Sequence, residues 1–331
     1  MSDLLRDIGE KGLLKRLQRF CPPEIVGDDA AVVATQMGQS LVVTTDLLVD
    51  GVHFSDRTTS PEDAGLRSAA ANLSDLAAMG ATPLGITVGL GLSGDLPVSW
   101  IERLYQGMTE CLQHYDTAIV GGDVCRSSVI TIAITAFGQV DPNRVIRRGA
   151  AQVGDAIVVT GVHGAARAGL ELLLHPELGQ NLSDAERIAL IQKHQRPQPR
   201  LDVLPMLWEV TGVSPRLAGM DSSDGLADAL VQLCQASGVG AKIDSHRIPI
   251  PVATRGWVSP EQALNWALYG GEDFELVLCL SPEPAELLVQ QLGKGAAIVG
   301  TITTDSAAQL IELPDGIPNQ VLSLSRGFQH W

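Results

Sequence analysis

The sequence predicts an α/β (α+β) protein built of two domains, and three observations carry that prediction. Its 331 residues exceed the usual size of a single domain. The composition, 45% hydrophobic and 18% charged with 34 glycines, belongs to a globular chain able to bury a sizeable core. Short apolar runs of period two alternate along the chain with Ala- and Leu-rich stretches of helical period.

In chain order, MSDLLRDIGEKGLLKRLQRF sets Leu4, Leu5, Ile8, Leu13, Leu14, Leu17 and Phe20 among charges. This is an amphipathic helix pattern and lacks the unbroken apolar core of a signal peptide. SLVVTTD reads as a strand, residues 61–79 as an Ala-rich helix, GITVGLGL as a strand, 99–112 as a helix, and TAIVGGD and VITIAITAFGQV as strands. In GITVGLGL, Ile86, Val88, Leu90 and Leu92 alternate with small residues, which gives one buried face. The Asp141-Pro142-Asn143 turn and the basic run 144–154 break the order, and AIVVTG starts a new strand. The expected boundary is therefore near 148, with domains 1–148 and 149–331. In the second domain helices are expected over 163–174 and 226–236, with Pro197 and Pro199 interrupting between them, and strands over 274–280 and 296–302.

Charge and cysteine usage narrow the function. Twenty-three basic against 38 acidic side chains leave a net charge of −15, with no basic block, so nucleic acid is excluded as an expected partner. An acidic protein that binds an anionic ligand must recruit cations, and carboxylate-held divalent metal supplies them. The five cysteines are widely spaced without a CxxC pair, which indicates neither a zinc site nor a disulfide framework. No stretch is long and uncharged enough to span a membrane, and a cytoplasmic protein is expected.

Carboxylates recur at strand ends or beside glycines in six segments: Gly27-Asp28-Asp29-Ala30, Thr44-Thr45-Asp46, Asn72-Leu73-Ser74-Asp75, Gly121-Gly122-Asp123, Asp221-Ser222-Ser223-Asp224-Gly225 and Gly270-Gly271-Glu272-Asp273. Any one of them reads equally as a turn or a helix N-cap. Turns use Gly, Asn, Ser and Pro interchangeably, however, and here the acid recurs each time. Hard oxygen donors in this number, with threonine hydroxyls alongside, suit Mg²⁺ and substrate phosphates. In RSAAANLSDLAAMGA the small side chains admit a close backbone approach, and Asn72 and Asp75, three apart, share a helix face. A Walker A sequence and the protein-kinase motifs are absent. The backbones at Gly121 and Gly122, Arg148 and the helix start after Asp224 are the candidate phosphate holders. His53 follows the Thr-Asp strand end, and the sequence alone does not choose between a structural and a catalytic role for it.

GDDAA, TTDLLVDGVHF, NLSDLAAMGA, GGD, RRGAAQVGD, RPQPR, DSSDGL and GGEDFEL, in this order and over nearly the whole chain, resemble the thiamine-monophosphate kinase family. That family lies in the superfamily of aminoimidazole ribonucleotide synthetase, selenophosphate synthetase and a hydrogenase maturation ATPase. The resemblance implies a two-domain fold: an N-terminal mixed sheet with helices that pairs with its mate to form a dimer barrel, and a C-terminal α/β domain covering an ATP cleft. It implies ATP-dependent phosphorylation of thiamine phosphate to thiamine diphosphate, in a homodimer using several Mg²⁺ ions. Asp29, Thr44, Thr45, Asp46, Asp75, Asp123, Asp221 and Asp224 would bind Mg²⁺, with Asp46 and Asp123 nearest the transferred group. Tyr105, Gly122, Asp123, Arg148 and Ser223 would surround ATP, and His53, Glu272 and Phe328 would contact thiamine phosphate, with Trp331 competing for the role of Phe328. Two positions depart from the family pattern: Ser222, where Ile or Leu is frequent, and Val124, where Thr is usual. Neither removes a ligand. The other readings are a superfamily ATPase that activates an amide or a selenide, and a protein that binds metal and nucleotide without turnover.

Overall fold

A computed structural model describes residues 4–22, 35–212, 216–311 and 319–326. The chain forms two compact units, one of residues 1–76 with 81–142 and the other of 77–80 with 143–331. The units therefore part between Pro142 and Asn143, within the turn that interrupts the first series of elements.

In the first unit a helix α1 (Leu5–Leu17) buries Leu5, Leu13 and Leu17. Strand β1 (Ser40–Val49) is followed by α2 (Pro61–Ala78), β2 (Thr82–Leu92), α3 (Val98–His114), β3 (Ile119–Arg126) and β4 (Thr131–Val140). The four strands lie in the order β1-β4-β2-β3, with β4 antiparallel to both neighbours and β2 parallel to β3. The β2–β3 pair is thus a strand–helix–strand unit crossed over by α3, as parallel neighbours require. Alternation sets the faces: Ile86, Val88 and Leu90 on β2 are buried with Ile132, Ile134 and Ala136 on β4. Helix α2 lies against this face through Leu76, and α3 backs α2 where glycines let the backbones touch. A Cβ at Gly65 would stand 1.9 Å from the Leu104 carbonyl oxygen, and one at Gly107 1.8 Å from that of Glu62.

The second unit runs β5 (Ala156–Val159), α4 (Ala165–Leu174), α5 (Asp184–Gln195), α6 (Val203–Thr211), β6 (Ala218–Asp221), α7 (Leu226–Ser237), β7 (Gly240–Asp244), α8 (Pro260–Tyr269), β8 (Leu276–Leu280), α9 (Pro282–Leu292), β9 (Ala297–Thr303), β10 (Ala308–Ile311) and β11 (Gln320–Val321). Its seven-stranded sheet has the order β11-β10-β7-β9-β5-β8-β6, antiparallel except between β10 and β7. Strands β5 and β8 and the edge strand β6 are buried along their whole length, because helices cover both faces. Ile157, Val159, Val277 and Cys279 pack with α7 and α8, while Val158, Leu276 and Leu278 pack with α6 and α9. A smaller cluster, Ala165, Ala168, Leu172, Leu190 and Trp266, joins α4, α5 and α8.

Two elements of the second unit start two residues later than the sequence pattern suggests. The helix expected from 163 begins at Ala165, because Gly164 is left-handed at φ +87° and serves as its N-cap. The strand expected from 274 begins at Leu276, because Phe274 has φ +51° and cannot enter a β ladder. No helix among the described residues is long and apolar enough to cross a membrane.

Candidate functional site

In the first unit, strand alternation and helix period bring two of the expected metal-ligating segments together. Thr44 and Asp46 point to the helix-covered face of β1, while Val43, Thr45 and Leu47 alternate to the exposed face. Thr44 pairs across the sheet with Ala136 and Asp46 with Ile134, both fully buried. From α2, Asp75 accepts a hydrogen bond of 2.5 Å from the Thr44 hydroxyl, and Asn72 Oδ1 accepts one of 3.2 Å from the Asp46 N–H. The Asn72 amide is itself fixed by donating to the Ser68 carbonyl at 3.0 Å. The three-residue spacing on α2 thus sets two polar side chains against two alternate positions of β1. Thr45 faces the other way and shares a 2.9 Å hydrogen bond with Thr135.

Asp123 does not join this group. Val88 aligns with Gly122 and Gly89 with Asp123, so Asp123 is on β3, at the sheet edge opposite β1. Three strand spacings separate the two edges, about 14 Å at the usual interstrand distance. Gly122 needs to be glycine, since a Cβ there would stand 2.2 Å from the Val88 carbonyl oxygen. Tyr105 is buried in α3 with its ring 5.6 Å from Phe20, and burial pushes its hydroxyl pKa upward. His53 sits in the turn after β1, where its Nδ1 accepts from the Val49 N–H at 3.1 Å, so the neutral ring carries its proton on Nε2. Asp29, Phe328 and Trp331 lie outside the described residues.

In the second unit the expected residues stand on two loops that dock together. Strand β6 ends at Asp221, buried, and the chain turns through Ser222–Gly225 into α7, the turn closed by the Gly225 N–H on the Ser222 carbonyl at 3.1 Å. Ser223 donates from its hydroxyl to Asp221 Oδ1 at 3.3 Å, and Asp224 is exposed just before the helix. The second loop, Gly271 to Phe274, has left-handed backbone at Gly271 (φ +68°), Glu272 (φ +61°) and Phe274 (φ +51°). The Glu272 N–H donates to the Ser223 carbonyl at 2.6 Å, and a Cβ on Gly271 would lie 2.8 Å from the same oxygen. Glu272, an expected substrate residue, is thereby joined to Ser223, an expected ATP residue. Arg148, exposed, donates to Gln232 on α7 at 2.6 Å, and Gln232 donates to Asp228 at 2.6 Å.

Behind these loops lies a polar layer that sequence reasoning did not find. His163 is fully buried; its Nδ1 faces the Gly161 carbonyl at 3.1 Å and its Nε2 the Ser222 hydroxyl at 3.0 Å. Burial holds its pKa below the ordinary value, opposed by the nearby Glu275 carboxylate and the Gly161 carbonyl. Ser222 also donates its N–H to the Glu275 carbonyl at 2.9 Å. The Glu275 carboxylate accepts from Thr160 at 2.7 Å and from Arg200, whose fork also holds Asp202 at 2.9 and 3.0 Å. Asp273 accepts from the Gly164 and Ala166 N–H groups at 2.6 and 2.9 Å, capping α4. Burial raises its pKa to about 7, against the lowering effect of those two N–H groups. The polar Ser222, which departs from the family pattern, was the one available signal: a hydroxyl inside an apolar strand end needs partners.

The donor set suits Mg²⁺ better than a soft metal. Each unit presents carboxylate and hydroxyl oxygens side by side, as in Thr44 with Asp75 and Ser223 with Asp221. Among the described residues no group of three or more His, Cys, Asp or Glu side chains is gathered to hold a metal. Mg²⁺ characteristically completes its shell with water and substrate phosphate instead of an all-protein cage.

The family profile of AIR synthase related proteins matches this chain in both parts, the N-terminal domain over residues 27–140 and the C-terminal domain over 152–311. A thiamine-monophosphate kinase of Synechococcus elongatus is 52% identical, covering 100% of this chain and 99% of its own length. Among solved structures, thiamine-monophosphate kinase from Stenotrophomonas maltophilia superposes with a TM-score of 0.78 at 32% identity, covering 91% of this chain and 94% of that one. A relative complexed with AMPPCP and TMP gives a TM-score of 0.72 at 29% identity, covering 97% and 99%. With a match of this identity over its full length, the chain belongs to the thiamine-monophosphate kinase family.

Proposed function

We propose that this chain transfers the γ-phosphoryl group of ATP to a phosphate oxygen of thiamine phosphate, releasing ADP and thiamine diphosphate. The observation that carries the reading is the 52% identity to a thiamine-monophosphate kinase over the whole chain. The oxygen donors support it: midway along β1 Thr44 bonds Asp75 and Asp46 stands beside it on the same face, and Asp221, Ser223 and Asp224 share one turn. Asp29, Thr44, Thr45, Asp46, Asp75, Asp123, Asp221 and Asp224 would hold Mg²⁺, which when bound would neutralise phosphate charge. The acceptor phosphate is already ionised, so no side chain is required as a general base. Gly122, Asp123, Arg148 and Ser223, with Tyr105, are assigned to ATP. His53, Glu272 and Phe328 are assigned to thiamine phosphate, where the Glu272 carboxylate faces a substrate that carries a positive ring. Residues 1–148 and 149–331 are the metal-binding and cleft-covering domains of this reading, and an ATP-consuming reaction of this kind places the enzyme in the cytoplasm.

The reading includes a homodimer. Leu41, Val43 and Leu47 stand 53–56% exposed in a row on the outer face of β1, an apolar stripe along a sheet that can pair with a second copy. Incubation of the purified protein with thiamine phosphate, γ-labelled ATP and Mg²⁺ tests the activity. Label is expected in thiamine diphosphate; label only in free phosphate would overturn the substrate and leave ATP hydrolysis linked to another acceptor.

A further inference from the structure

The loop that bears Glu272 is held at three points, and the third has no role in the reading above. Its backbone is fixed by the Glu272 N–H on the Ser223 carbonyl. Its next residue, Asp273, caps α4 through the Gly164 and Ala166 N–H groups. Helix α4 packs so closely on α5 that a Cβ at Gly169 would stand 2.1 Å from the Leu190 carbonyl oxygen. In its last turn α5 carries His194, 3% exposed, and the imidazole Nδ1 lies 3.5 Å from Glu272 Oε2. The path from Glu272 through Asp273, α4 and α5 therefore returns to the Glu272 carboxylate.

A left-handed backbone at a non-glycine residue costs about 1–3 kcal/mol and persists only where its surroundings over-determine it. Here the conformation sets the Glu272 side chain, 32% exposed, with Oε2 3.5 Å from a buried ring. A carboxylate fixed on one side loses less freedom when it meets a ligand on the other.

We propose that His194 is a positioning residue for substrate recognition, which aims the Glu272 carboxylate at the positive, ring-bearing part of thiamine phosphate. This rests on the function proposed above. His194 is buried behind Glu272, so its contribution belongs to binding of the acceptor and not to phosphoryl transfer.

Steady-state kinetics with each substrate varied in turn separate the two. His194→Ala is expected to raise KM for thiamine phosphate about tenfold, with kcat and KM for ATP within about twofold of wild type, the signature of lost ground-state positioning. His194→Asn, whose amide nitrogen occupies the place of Nδ1, is expected to restore most of the loss. Glu272→Gln combined with His194→Ala is expected to be no worse than Glu272→Gln alone, since the imidazole acts only through the carboxylate. Equal damage to kcat and both KM values, or full additivity in the double variant, would overturn the proposal and leave a packing role. An active wild type with such a result fails the proposal alone. A wild type that forms no thiamine diphosphate fails the function on which it rests.

Discussion

Asp273 is subject to two opposed effects. Its carboxylate receives two backbone N–H groups at a helix start, an arrangement that favours the ionised form, yet burial outweighs them and raises the pKa to about 7. The ordinary value is 3.8, so between about pH 4 and 7 the folded protein holds a proton that the unfolded chain has released. Stability from this group is complete below pH 4 and is lost as pH rises through 7, because the side that binds more protons is favoured by acid. Asp273→Asn removes the titration while keeping the shape. The difference in unfolding free energy between wild type and variant, measured in urea from pH 4 to 8, is expected to move against wild type across that window. A constant difference would show that the carboxyl titrates alike in both states. The same residue caps the helix that leads to His194, so its ionisation falls on the support of Glu272.

At the scale of elements, the crossing of α2 and α3 decides where Asn72 and Asp75 stand. Gly107→Ala would force a methyl group onto the Glu62 carbonyl, 1.8 Å away, and the helices must part to admit it. Overpacking of this kind costs about 1–3 kcal/mol. The expected outcome is a lower urea midpoint together with a raised Mg²⁺ concentration for half-maximal activity, since α2 carries the partners of Thr44 and Asp46; a lower midpoint with unchanged Mg²⁺ dependence would confine the effect to packing. The pairing of α2 with β1 was legible in the sequence, because helical spacing sets Asn72 and Asp75 on one face and strand alternation sets Thr44 with Asp46. Both are local periodicities. The Glu272 loop was not legible, because left-handed Glu and Phe leave no compositional mark comparable to Gly271. Nor were His163, His194 and Glu275, since their partners lie far along the chain: Thr160 meets Glu275 and Gly164 meets Asp273 across more than 100 residues. The separation of Asp46 from Asp123 follows from strand order, which no local pattern encodes.

For the whole molecule that separation has a direct consequence. Asp46 is on one edge strand and Asp123 on the other, about 14 Å apart by strand spacing, while two carboxylates on one Mg²⁺ each lie about 2 Å from it. One copy of the sheet cannot close that gap, whereas a two-fold partner that sets its own β3 edge beside the β1 edge would. If both residues serve the same phosphoryl transfer, as the proposed function assigns them, each site is then shared between two chains. Asp46→Asn and Asp123→Asn homodimers should each be inactive. In a mixed dimer, isolated with two different affinity tags, one site collects both substitutions and the other collects neither. Two-fold symmetry therefore predicts about half of wild-type activity per dimer. A mixed dimer without activity would mean that each chain uses its own pair, and the shared site would have to be abandoned.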